Sequence, residues 1–193
     1  KQAARDARAL LDEAKGRTWR KKAALLLARL APERLPLDDE DAAMAGARAA
    51  LQAGEGVASR PAIKALLATA DLPKARLTEL GNLVIQYADF PGDLALDTAD
   101  RLRAAGDLAL GDLIEVRARA VEGMPGRDEA LQRYMARGYR GSWSYWVLSR
   151  ALFERGDVDV AVAWVDRARE LSPEPRKLDA SLVQHLVDVL ETE

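Results

Sequence analysis

The chain holds one histidine, His185, and no cysteine, so nucleophilic, thiolate and zinc chemistry have almost no side chains to draw on. No glycine-rich phosphate loop, serine–histidine–aspartate set or metal-binding helix motif occurs, so neither an enzyme nor a cofactor is expected. His185 falls among Leu182, Leu186, Val189 and Leu190 and reads as a packing or surface residue. Asp38, Asp39, Glu40 and Asp41 are adjacent and resemble metal ligands. A helix start explains them fully, because carboxylates are stabilised near the positive end of a helix, and no metal site is expected. Arg17, Arg20, Lys21, Lys22 and Arg29 surround Trp19, a pattern compatible with RNA or lipid headgroups. The simpler reading puts Trp19 in a core stripe with Ala23, Leu26 and Leu30, and the charges in water.

The best candidate contacts are Trp143, Trp146, Arg150 and Phe153. Steps of three, four and three place them on one helical face. Aromatic residues and arginine are the types most often found as interface hot spots. The alternative is that the rings pack against a short helix over 128–136.

Composition bounds what these residues serve. With 193 residues, 49% of them hydrophobic and 31% charged, the chain can bury a full core. A net charge of −2 gives no global field to draw nucleic acid, which leaves binding through the basic first hairpin as a minor alternative. No apolar run reaches the roughly 20 residues of a membrane span, and no secretory signal is evident, so a cytoplasmic protein is expected. The chain opens at Lys1 without methionine, which suits a piece of a longer protein.

Alanine, leucine, arginine and glutamate dominate, aromatics are 5%, and the periodicity is helical throughout. About eleven helices are expected, over 2–15, 18–31, 39–53, 59–70, 71–88, 93–105, 107–122, 128–136, 142–155, 157–171 and 177–190. Pro32 and Pro36 break the chain after the second, and Gly54-Glu55-Gly56 is the best flexible joint. Residues 1–54 then form a hairpin plus one helix, and 57–193 a repeat region closed by a capping helix. The repeat rests on segments 101–121 and 151–171, in which six of 21 aligned positions are identical. Among them are Gly106/Gly156 and Asp107/Asp157. Glycine ends a helix in the left-handed conformation and aspartate caps the next, so each pair reads as the bend of a helical hairpin.

The segment 142–175 resembles a tetratricopeptide repeat. The resemblance lies in Tyr145, Leu148, Ser149 and Leu152 on a first helix, the Gly156-Asp157 turn, Ala161 and Ala168 on the second, and Pro173 at the close. Val165 departs from the family, which usually has an aromatic there. Gly106-Asp107 with Leu102 and Ala118 fits a second copy, although Gly111 and Glu115 replace the family alanine and aromatic. A step back of 36 residues to Asp71 gives a third. The resemblance covers about 59–175 and implies an all-α solenoid of stacked antiparallel hairpins. It further implies a concave face of first helices, carrying Trp146 and Arg150, that binds a protein or peptide. Trp146, Arg150, Leu96 and Asp100 stand where relatives that grip a terminal carboxylate carry lysine and asparagine, so that activity is not implied. The expected function is a scaffold binding a peptide segment or docking a neighbouring domain. The alternative is an accessory helical region of a larger bacterial enzyme, such as a glycosyltransferase.

Overall fold

The structure, a computed structural model, describes residues 2–173 apart from 14–16, 88, 139–140 and 155. These residues form ten α-helices, one 3₁₀ turn at Pro32–Arg34 and no strand. The helices are α1 (Gln2–Glu13), α2 (Arg17–Leu30), α3 (Glu40–Gln52), α4 (Gly56–Ala68) and α5 (Lys74–Gln86). They continue as α6 (Gly92–Ala104), α7 (Leu108–Val121), α8 (Arg127–Ala136), α9 (Ser142–Glu154) and α10 (Val158–Leu171). The helix expected over 177–190, and His185 with it, lies outside the described residues. The chain divides into two compact units, Lys1–Thr98 and Ala99–Glu193, with the division inside α6.

The Gly-Asp pairs form one kind of helix stop. Gly106 and Gly156 adopt φ of +78° and +86°, where a side chain would be strained. The Gly106 N–H donates to the Arg103 carbonyl at 3.0 Å, and the Asp107 N–H to the Leu102 carbonyl at 2.8 Å. Gly156 and Asp157 repeat both bonds on Phe153 and Leu152, each at 2.9 Å. The paired bonds satisfy carbonyls that a helix end otherwise leaves open. Gly54-Glu55 is a third copy, with φ of +72° and bonds to Leu51 and Ala50 at 3.1 and 2.9 Å. The joint expected there is thus a tight turn between α3 and α4, which pack on each other in the first unit. Gly123-Met124, between α7 and α8, makes the same stop, with φ of +62° and bonds to Ala120 and Arg119 at 3.3 and 2.9 Å. The helix start expected at Asp71 is corrected: Asp71 sits in a turn, and α5 begins only after Pro73.

Four residues past each turn acid stands a small buried residue, Ser59, Gly111 or Ala161. Seven further on come Leu66, Ala118 and Ala168, also buried. At Gly111 the approach is close: a Cβ would lie 2.8 Å from the Ala99 carbonyl oxygen and 2.7 Å from Arg103 Cγ. The missing Cβ of Gly111 lets α7 come against the α6 backbone.

Local starts differ from expectation where a side chain found a better partner. Asp39 and Asp107 cap α3 and α7, accepting from the Ala42 and Leu110 amides at 3.0 and 3.3 Å. Asp157, expected to cap α10, makes no side-chain capping bond and pairs with Arg127 at 2.9 Å. Helix α4 starts at Gly56 rather than at Ser59-Arg60-Pro61. The Ser59 hydroxyl donates back to the Gly56 carbonyl at 2.6 Å, and Pro61 lies inside the helix. A Cβ on Gly56 would overlap the Asp89 carbonyl oxygen, 1.8 Å away, so only glycine lets α4 begin against that backbone.

In the first unit α2 packs between α1 and α3. The seam is rich in alanine, with Ala7, Leu11, Ala23, Ala24, Leu27, Ala28, Ala42 and Ala45 buried together. Trp19 is not among them. It is 69% exposed, because α2 turns Ala24, Leu27 and Ala28 to its neighbours in place of Trp19, Leu26 and Leu30. Arg76 of α5 is the buried charge of this unit, 4% exposed, and pairs with Asp41 and with Glu79 (2.8 Å). In the second unit α7 packs on α8 and α9, and α9 on α10.

Candidate functional site

The α9–α10 turn sets Val160 and Trp164, one helical turn apart, opposite Leu148 and Leu152 of α9. Two further one-turn pairs close the space, Val116 with Ala120 on α7 and Arg127 with Leu131 on α8. Residues four apart share a helix face, so each of four helices presents a two-residue wall. The walls enclose a pocket of about 220 Å³. An apolar cavity of about 150 Å³ accepts benzene, so a large aliphatic or aromatic side chain fits this one. Val160 is 50% exposed at its edge, whereas Val116, Ala120, Leu148 and Leu152 are buried. The Trp164 ring is held edge-on by Tyr145, centroids 5.4 Å apart at 66°.

The polar groups of the pocket are one guanidinium and two carboxylates. Arg127 joins Asp157 through Nη1 at 2.9 Å and Asp128 through Nε at 2.8 Å. The side chains fit a binding role: apolar walls take surface out of water, and a fixed charged rim orients what enters.

Behind the pocket, α7 is anchored by ion pairs that the sequence did not announce. Glu115, its side chain 8% exposed, accepts from Arg103, Arg119 and Arg133, each at 2.9 Å. Asp112 accepts from Arg103 at 3.1 Å and Arg137 at 2.8 Å. Burial pushes the Glu115 carboxyl up, but the hydrogen bonds from Arg119, Arg133 and Arg103 outweigh it and hold the group below its ordinary 4.5. The network ties α6, α7 and α8 together and so fixes the Val116 and Leu131 walls.

The residues singled out in the sequence all lie on α9. Trp146 is 5% exposed, and its burial favours the packing role over a groove contact. Phe153 is half-buried. The side chains of Trp143 and Arg150 lie outside the described residues. The seam leucines, Leu148 and Leu152, form one wall of the pocket. Val160, Trp164, Leu131 and Arg127 were not anticipated. The signal for Val160 and Trp164 was a second apolar pair on α10, beside the buried line Ala161, Val165 and Ala168.

Two other hollows are less suited to a ligand. A cleft of about 160 Å³ in the first unit is walled by Lys21, Asp41, Arg48, Arg76 and Glu79, whose charges are largely spent on one another. A wider trough of about 580 Å³ runs along alanines of α3 and α4 and offers no aromatic ring. Among the described residues no group of three or more histidine, cysteine or acidic side chains is placed to hold a metal ion. None of their helices is long and apolar enough to cross a membrane.

No family model matches this chain, and no curated protein or solved structure does either.

Proposed function

We propose that this chain is a helical binding module that takes a large apolar side chain of a protein segment into the pocket between α7, α8, α9 and α10. The carrying observation is that pocket, with apolar pairs from α7, α9 and α10, Leu131 from α8, a half-exposed valine at the edge and Arg127 fixed at the rim. The resemblance of 142–175 to a tetratricopeptide repeat supports the same reading. The segment belongs to another protein or to a neighbouring domain of the same polypeptide. Binding works through complementarity, with apolar area removed from water at about 25 cal/mol per Å² and a scaffold that is ordered beforehand.

Selection of a random peptide library on the immobilised chain tests this. Enriched peptides share a leucine, methionine or aromatic residue and bind in a fluorescence anisotropy titration. Val160→Asp weakens them at least about tenfold, because an aspartate there must lose water when the pocket fills. Its melting curve stays close to that of the parent, since Val160 is half in water already. No enrichment, or equal binding by the variant, contradicts the proposal.

A further inference from the structure

The first hairpin carries a surface that the pocket does not use. On α2, Trp19, Leu26 and Leu30 are 69%, 44% and 47% exposed. At 100° per residue they fall within an arc of about 40° on one side of the helix. Exposed Lys22 and Arg29 border that arc, and Lys22 Nζ stands 5.1 Å from the Trp19 ring centroid. Leu10 of α1 is also exposed. Charge is segregated in the same direction. Residues 1–30 hold nine basic and three acidic side chains, net +6, whereas 31–193 hold 20 basic and 28 acidic, net −8. A small overall charge therefore conceals a basic end.

We infer that the α1–α2 hairpin docks on an anionic lipid bilayer. Helix α2 lies in the interface, with Trp19, Leu26 and Leu30 toward the acyl chains and Lys22 and Arg29 at the level of the phosphates. Helices with tryptophan and leucine on one side and bordering lysine or arginine bind membrane surfaces through apolar burial and attraction to anionic headgroups. An indole suits the headgroup boundary because it has an apolar body and one N–H donor. The long stems of lysine and arginine let their charges reach the phosphates while the leucines sink deeper. RNA would engage the charges and one ring but leave Leu26 and Leu30 in water. Attachment is to the surface, as none of the described helices is built to span. The inference stands on the first unit alone and is independent of the pocket.

Co-sedimentation of the whole chain with vesicles tests it, using phosphatidylcholine alone and phosphatidylcholine mixed with phosphatidylglycerol. The chain pellets with the mixed vesicles and not with the neutral ones, and its tryptophan emission shifts to the blue. Trp19→Phe still pellets but loses that shift. Leu26→Ser with Leu30→Ser keeps every charge yet binds at least about tenfold more weakly. Lys22→Glu with Arg29→Glu does the same. All of these side chains are exposed, and circular dichroism melts verify that each variant is folded. Failure to pellet with anionic vesicles overturns the inference. Undiminished binding by the serine variant overturns it too, as does a complex with RNA or a second copy that masks Trp19 while vesicles are ignored.

Discussion

At Gly111 the absence of one carbon decides how closely α7 approaches α6. Replacing glycine by alanine inside a helix ordinarily gains about 1 kcal/mol. Here the added Cβ meets the Ala99 carbonyl oxygen at 2.8 Å, and backbone cannot step aside as a flexible side chain can. Gly111→Ala therefore lowers stability by about 1–3 kcal/mol, measured by urea denaturation. A gain would show that the two helices are less tightly joined. At the equivalent place in α10, Ala161 is fully buried. From the sequence alone Gly111 reads as a departure from a pattern, because spacing reports where a small residue stands and not how near its neighbour is. Arg76 was hidden for a related reason. It occupies a core-facing position one turn before Leu80, and only the fold shows that Asp41 and Glu79 come to meet it.

Among the elements, the helix stops at Gly54, Gly106, Gly123 and Gly156 share one geometry. Gly54, Gly106 and Gly156 all have positive φ, and no atom outside the turn comes within 4 Å of where a Cβ would stand. The cost of a side chain is thus conformational alone. Alanine at each of the three positions lowers stability by a similar amount, about 1–2 kcal/mol, read from denaturation midpoints of the single variants. Unequal costs would show that the three turns are alike in shape only. Two of these turns were legible because glycine and aspartate stand side by side. The third was not, since Glu55 replaces aspartate and the flanking helices differ in most positions. The α4 start at Gly56 departs from the sequence signal for the opposite reason. Ser59-Arg60-Pro61 carries a strong start signal, but Gly56 alone can sit against the Asp89 carbonyl, and packing there outweighs the local preference.

Across the whole molecule, carboxylates held by arginine recur in both units. Asp93 in the first lies below its ordinary 3.8, chiefly because Arg60 donates to it, at 2.8 Å from Nη1. Glu115 in the second lies below its ordinary 4.5. A carboxyl depressed in the folded state binds fewer protons there than in the unfolded chain. It stabilises the fold above its unfolded value, and the contribution fades as pH falls through the folded value. The melting temperature therefore drops below about pH 4.5, and Glu115→Gln, less stable at neutral pH, loses part of that slope. A flat profile down to about pH 3 would contradict these pairings. The all-helical character was fully legible from period and composition, and so were the seam leucines of α9. The pocket was not. It needs α7, α8, α9 and α10 at once, and periodicity within one helix carries no record of which other helices meet it.

Occupation of that pocket can be observed directly. Methyl-labelled isoleucine, leucine and valine residues, followed by NMR as a selected peptide is titrated in, report on Val116, Leu131, Leu148, Leu152 and Val160 at once. If the pocket is the binding site, the largest shifts fall on these five residues and saturate together, and Val160→Asp moves their saturation to at least about tenfold more peptide. Shifts that centre elsewhere, or methyls that do not respond to any peptide the chain retains, would contradict it.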